Sequence, residues 1–195
     1  MTDATADGST SATAILEATR TVIAERGPER FTLSAVAAQA GVSRPTLYRW
    51  FPSKEALLAS LSDYELRRFD ARLETVVSAQ RTPARRLDAA LRFVATYLDG
   101  LMGPDPIGVE PGFALQHLAA SLPPQSASLA RLLGDALDLV PAVRDRRLSR
   151  EQAAEMFLRV AFSHYLVPHD DAEVLLSNLR GLSGLPRRSL SRAAG

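Results

Sequence analysis

The stretch GVSRPTLYRWFPSKEALL, residues 41–58, sets a glycine, two prolines, two arginines, the chain's only lysine and its only tryptophan between two apolar runs. Ser43 is positioned to cap a short helix, Pro45 is tolerated in its first turn, Leu47 and Phe51 face inward at i, i+4, and Pro52 ends it. Immediately upstream, Thr32 caps a second short helix with Leu33, Val36 and Ala37 inward, and Gly41 stands where a left-handed backbone costs least. Farther upstream, Ile15, Leu16, Thr19, Val22 and Ile23 recur at helical spacing until Gly27-Pro28 stops the pattern. Downstream, Ser53 opens a longer helix through Leu57, Leu61, Tyr64, Leu73 and Val77 to about residue 80.

Two short helices joined by a glycine-containing turn, supported by a first helix, match the helix-turn-helix plan. With Leu47 and Phe51 in the core, Arg44, Pro45, Thr46, Tyr48, Arg49 and Trp50 take the outer face of the third helix and its first turn. Residues 30–54 hold four basic side chains, Arg30, Arg44, Arg49 and Lys54, and no acidic one, although the whole chain has a net charge of only +1. Such a local charge suits a phosphate backbone. Arg44 is expected to fork onto guanine, the Pro45 ring and Thr46 methyl to touch a thymine methyl, and Tyr48 and Lys54 to hold phosphates. Thr32, Ser43, Arg49 and Trp50 complete the candidate DNA-facing set.

Over residues 15–58 the sequence resembles the TetR family of bacterial transcription regulators. The resemblance is carried by Gly41, Val42 and Ser43 in the turn, by the run Thr46, Leu47 and Tyr48, and by Phe51, Lys54 and Leu57. It implies that the third helix is a recognition helix, that Lys54 clamps a phosphate, and that the protein is a homodimer on a palindromic double-stranded DNA operator. It also implies that the remainder is an effector-binding and dimerisation domain. One departure is that Ser34 and Ala35 stand at second-helix positions often charged in the family, which argues against base contact from that helix. The expected architecture is all-α with about nine helices. A tail occupies 1–12, the helix-turn-helix domain 13–57, the larger helical domain 58–185 and a basic tail 186–195.

In that larger part, breaks are expected at GPDPIGVEPG (103–112), at LPPQ (122–125) and near Pro141 and Pro168. A pocket in a helical bundle is mostly apolar with a few placed polar groups, which selects Phe69, Phe93, Tyr97, Met102, Phe113, Gln116, His117 and Ser163 as candidate wall residues. Few charges fall within these faces, so the expected effector is a small neutral or weakly polar molecule, a lactone, an acyl chain or an aromatic. The last two helices, about 150–167 and 171–182, carry Met156, Phe157, Val160 and His164, and Val174, Leu175, Leu179 and Leu182. These stripes read as a dimer interface forming a four-helix bundle about a two-fold axis, or else as internal core. Asp170 and Glu173 cap the second of these helices. His164, His169, Asp170 and Asp171 do not read as a metal site, because a loop histidine beside a capping aspartate accounts for them.

Exclusions narrow the function. There is no cysteine, hence no disulfide or thiolate chemistry. No signal peptide and no run of about eighteen apolar residues is found, so the default is cytoplasmic with no membrane partner. The chain has no G-x-S-x-G, G-x-G-x-x-G, Walker or H-E-x-x-H motif and only three histidines. An enzyme is therefore not expected, nor is a cofactor. The sequence reads as a ligand-responsive repressor released by its effector, the alternatives being a regulator governed by a partner protein and an activator or co-repressed regulator.

Overall fold

The structure, a computed structural model, describes residues 4–27, 30–97, 111–167 and 173–185, without the side chains of 4–11, 111, 113 and 114. The described residues form nine α-helices and one 3-10 helix, with no strand. Helix α1 (Ala4–Arg26) starts well ahead of Ile15 and takes in most of the stretch read as a tail. Residues 4–12 contain no proline, and extending a helix that is already nucleated costs far less than starting one. Ile15, Leu16, Ala18, Thr19 and Val22 are buried on one face. Thr19 belongs there because its hydroxyl donates to the Ile15 carbonyl at 2.7 Å.

Helix α2 (Leu33–Gln39) is capped by Thr32, whose hydroxyl accepts from the Ala35 N–H at 3.1 Å. At its other end the Val42 N–H donates to the Ala37 carbonyl at 3.0 Å and the Gly41 N–H to the Ala38 carbonyl at 3.2 Å. This paired closure needs a left-handed residue, supplied by Gly41 at φ +67°. Helix α3 (Arg44–Trp50) begins just beyond, capped by Ser43. Leu47 and Phe51 enter one apolar core with Ile15, Val22, Phe31, Val36 and Leu57. Helix α4 (Lys54–Ser78) is capped by Ser53, which accepts from the Ala56 N–H at 3.1 Å, and it packs Leu58, Leu61 and Tyr64 on the edge of that core.

Beside the apolar contacts, Glu17 of α1 accepts hydrogen bonds from Tyr64 and Arg68 of α4 and from Arg20, one turn along α1. Desolvation alone would raise the Glu17 pKa. The Tyr64 hydrogen bond and the Arg68 and Arg20 charges outweigh it and hold the carboxyl below the usual glutamate range.

Helices α5 (Pro83–Tyr97), α6 (Pro111–Leu133), the 3-10 helix Gly134–Leu139, α7 (Pro141–Arg144), α8 (Arg150–Leu166) and α9 (Glu173–Ser183) follow. The described residues divide into two compact units, the first comprising α1 to α3, α4 as far as Arg68, and residues 111–117, the second the rest. The boundary read after residue 57 thus falls inside α4. In the second unit α5 buries Leu87, Leu91, Phe93, Val94 and Tyr97 and packs against the 3-10 helix, α8 and α9.

The break expected at residues 122–125 does not occur, since α6 runs through Pro123 and Pro124. The two missing N–H groups would have served the carbonyls of Ala119 and Ala120, both exposed residues within reach of water, while Leu118, Leu122, Leu129 and Leu133 stay buried on either side. Helix α8 opens with a capping box in which Ser149 and Gln152 bond reciprocally. Helix α9 ends at Gly184, which is left-handed at φ +73° and packs where a Cβ would come within 2.8 Å of the Pro141 ring. Arg180 of α9, almost fully buried, donates to Asp88 of α5 at 2.7 Å, and the other Asp88 oxygen takes Arg92 at 2.9 Å. No described helix is long and apolar enough to cross a membrane. The stretch 186–195 and residues His169, Asp170 and Asp171 lie outside the described residues.

Burial raises the Asp88 pKa, but the hydrogen bonds and charges of Arg180 and Arg92 lower it further than burial lifts it. The pair therefore stabilises the fold above the ordinary aspartate pKa, and its contribution is lost as pH falls through the depressed folded value. Asp88→Ala, which leaves the Arg180 guanidinium buried without its carboxylate, is expected to cost about 2–3 kcal/mol in urea unfolding at neutral pH and much less at pH 2. At Gly41 a Cβ meets nothing within 4 Å, so Gly41→Ala carries only backbone strain of about 1 kcal/mol. Gly41→Asn is expected to cost less, as read by the same unfolding measurement.

Candidate nucleic-acid interface

Helix α3 has only seven residues, too few to persist without tertiary support. That support comes from Leu47, at 0% exposure, and from Phe51 at its C-cap. With those two side chains inward, Arg44, Pro45, Tyr48, Arg49 and Trp50 are exposed and Thr46 is half-buried. Tyr48 and Trp50 retain 43% and 37% exposure, a large aromatic area to leave in water among the described residues. Arg30 is exposed as well.

The capping residues have a double position. Ser43 accepts from the Thr46 N–H at 3.2 Å and its hydroxyl lies 2.8 Å from that of Thr46, so these two side chains fix each other on the exposed first turn. Thr32 does the same for the start of α2 and is itself exposed. Lys54, the first residue of α4, holds its ammonium 4.3 Å from the centroid of the buried Phe31 ring. A cation at a helix N-terminus is opposed by the helix dipole, and the ring face offsets that cost. All nine DNA-facing candidates thus lie in the first unit, on α3, on its capping turn, at the head of α2 and at the head of α4. The clamp of Glu17, Tyr64 and Arg68 that fastens α1 to α4 was missed. Its partners are 47 and 51 residues apart, and no local spacing announces it.

The second candidate set is only partly gathered. Phe69, Phe93 and Tyr97 form one aromatic cluster, with ring centroids 5.3, 4.9 and 5.1 Å apart and the Phe69–Tyr97 pair edge-to-face. Gln116 is exposed and His117 half-buried in the first unit, and desolvation pushes the His117 pKa down. Ser163 is exposed on α8. Met102 and the Phe113 side chain lie outside the described residues. Next to the cluster, a groove of about 890 Å³ runs along α4, α5 and the start of α9, with Phe93, Val76 and Leu176 in its wall. Sequence periodicity did not find it, because the faces of α4 and α5 that form it are mixed in character.

The third set needs correction. Phe157, Leu175 and Leu179 are at most 3% exposed within a single chain, so they fill its own core and present nothing to a second copy. Met156, Val160, His164 and Val174 are half-buried, and Leu182 is 43% exposed. An apolar stripe wider than one contact surface needs is divided between the interior and the outer side of α8 and α9.

Residues 15–61 match the family model described as bacterial regulatory proteins, tetR family. The repressor KstR of Mycolicibacterium smegmatis is 42% identical over 74 residues, which are 38% of this chain and 36% of that protein. The chain thus spans little more than a third of the curated relatives it matches first. Among solved structures, the fatty acid degradation regulator FadR of Bacillus halodurans superposes with a TM-score of 0.68 at 21% identity, over 91% of this chain and 97% of that one. AibR, solved in complex with isovaleryl coenzyme A and operator DNA, gives a TM-score of 0.61 at 19% identity, over 90% of this chain and 100% of that one. At these identities the likeness is one of fold, a helix-turn-helix domain followed by a larger helical one. The matched segment, residues 15–61, contains α2, α3 and the exposed face of α3, and it is the part of the chain that resembles the tetR family of bacterial regulatory proteins.

Proposed function

We propose that the chain is a ligand-responsive transcriptional repressor that binds a palindromic operator as a homodimer and is released by a small, largely apolar effector of the lactone, acyl or aromatic class. The reading rests above all on α3. A seven-residue helix, held by Leu47 at 0% exposure, leaves Arg44, Tyr48, Arg49 and Trp50 in solvent within an acid-free stretch of sequence. Two likenesses support it, one in sequence to the repressor KstR over the helix-turn-helix segment and one of fold to AibR, solved with isovaleryl coenzyme A and operator DNA. The protein acts as a regulator and not as an enzyme, in the cytoplasm.

Arg44 reads guanine, Pro45 and Thr46 meet thymine methyls, Lys54 and Tyr48 hold phosphates, and Thr32 and Ser43 orient the two helices while lying beside the backbone. The half-exposed residues Met156, Val160, His164 and Val174, with Leu182, provide the apolar contact between copies. A ligand releases DNA only by binding the DNA-incompetent arrangement more tightly than the competent one. Helix α4 carries Lys54 at its start and Phe69 and Val76 in later turns, and it is the lever in this mechanism. A coupling of about 1–3 kcal/mol, a factor of roughly 5–150 in operator affinity, is expected.

Mobility shift against the DNA flanking the chain's own coding sequence tests the core of the reading. A specific complex should form, with two half-sites about 34 Å apart, and weaken steeply between two salt concentrations. Absence of a specific shift at low salt would overturn it. Trp50 is the only tryptophan, so operator binding should also quench its fluorescence.

Two substitutions separate the roles inside the interface. Arg44→Ala should relax base preference and cost roughly 1–3 kcal/mol on the preferred site. Lys54→Ala should weaken all sequences about equally and make the salt dependence shallower by about one unit of slope. Identical effects of the two on sequence preference would refute the assignment.

A further inference from the structure

The groove along α4, α5 and α9 is more than an apolar recess. Its wall includes Arg72 and Arg92 as well as Val76, Phe93 and Leu176. A smaller recess of about 330 Å³, which contains Arg85 and Asp88, shares Gln80, Ala89 and Arg92 with it. The two form one depression, apolar toward Phe93 and Leu176 and basic toward Arg85.

The charges do not cancel. In the lining, Arg72, Arg85 and Arg92 stand against Asp88 and Glu173, an excess of one positive charge, and Asp88 is further compensated by the buried Arg180. Asp88 has both oxygens committed, one to Arg180 and one to Arg92. Arg85 is exposed and has no carboxylate within 4 Å among the described residues. Arg72 lies over the Phe93 and Tyr97 rings at 5.9 and 5.8 Å, which occupies the face of its guanidinium and leaves the N–H edges for an acceptor. A cavity of this size, with an apolar wall and a few convergent donors, suits a ligand that has one apolar body and one polar end.

We propose that this depression binds an anionic alkyl amphiphile, its hydrocarbon against Val76, Phe93 and Leu176 and its carboxylate or phosphate against Arg85 and Arg92. This rests on the sensor reading above and deepens it, since the effector becomes an acid where the sequence led to a neutral molecule. The negative head gains charge-assisted hydrogen bonds from Arg85 and from the N–H groups of Arg92 not used on Asp88, and the hydrocarbon gains by leaving water. A fatty acid would supply a carboxylate and a coenzyme-type thioester a phosphate, so the head group tells the two sources apart.

Isothermal titration of the full chain without DNA, using decanoate, decyl phosphate and decanol below their aggregation limits, tests the site. Both anions should bind at least about tenfold more tightly than decanol, the tighter of the two naming the source. Arg85→Gln should weaken the anions by about tenfold and leave decanol unchanged, the size of one charge-assisted hydrogen bond. Ala89→Phe, which fills the shared wall, should abolish binding of all three. Arg85 is exposed, so its variant folds and decides the matter even if Ala89→Phe does not. Equal binding of decanol and the anions, no binding of either anion, or insensitivity to Arg85→Gln would overturn the proposal. Operator affinity measured in parallel keeps the two readings apart. Binding that depends on Arg85 but leaves operator affinity unchanged would retain the groove and refute the sensor, while release of operator by decanoate that survives Arg85→Gln would retain the sensor and refute the groove.

Discussion

Everything exposed on α3 depends on how Leu47 is buried. A helix of seven residues gains too few internal hydrogen bonds to offset the cost of nucleation, so α3 exists because its one fully buried side chain joins Ile15, Val36 and Leu57 in the core. The turn before it adds the second constraint. The paired bonds from Gly41 and Val42 back into α2 fix the direction in which the chain leaves that helix, and Ser43 then caps α3 almost at once. Two caps, one left-handed residue and one leucine determine which way Arg44 and Trp50 point.

The second unit is held differently. Its helices are tied by the polar contact of Asp88 with Arg180, 92 residues apart, in addition to the apolar packing of α5 on α8 and α9. Removing a partner from such a contact is costly because it strands a buried charge, whereas the contact as a whole adds less to stability. Its value is positional, since it fixes where the last helix lies along α5 and so sets the shape of the depression between them. The first unit has a counterpart in Glu17 with Tyr64 and Arg68, which aligns α1 with α4.

The contrast between the units explains what could be read from residues alone. The caps at Thr32, Ser43 and Ser53, the turn at Gly41 and the inward positions of α1 to α3 are all local signals, each complete within about five residues. In the larger part the same reasoning found the helices but not always their limits. Pro123 and Pro124 looked like a break because a proline's cost is local, and they are tolerated because the carbonyls they leave open face water. The stripes on α8 and α9 showed that Phe157, Leu175 and Leu179 are buried without showing by what, and the answer is the chain's own core. The groove was invisible for another reason, because its walls combine arginines of α4 and α5 with apolar residues of three helices.

Lys54 closes the comparison between fold and interface. A free lysine side chain samples many rotamers, and fixing it on a phosphate costs up to about 2 kcal/mol of conformational entropy. The ammonium 4.3 Å from the Phe31 ring centroid is already confined to a small part of that range. Part of the ordering cost of a phosphate contact is thereby met during folding, by the same ring that fills the core beneath the helix-turn-helix. If Lys54 takes the phosphate contact proposed above, Phe31 links the stability of the domain to the entropy of that contact, although it lies almost wholly out of solvent.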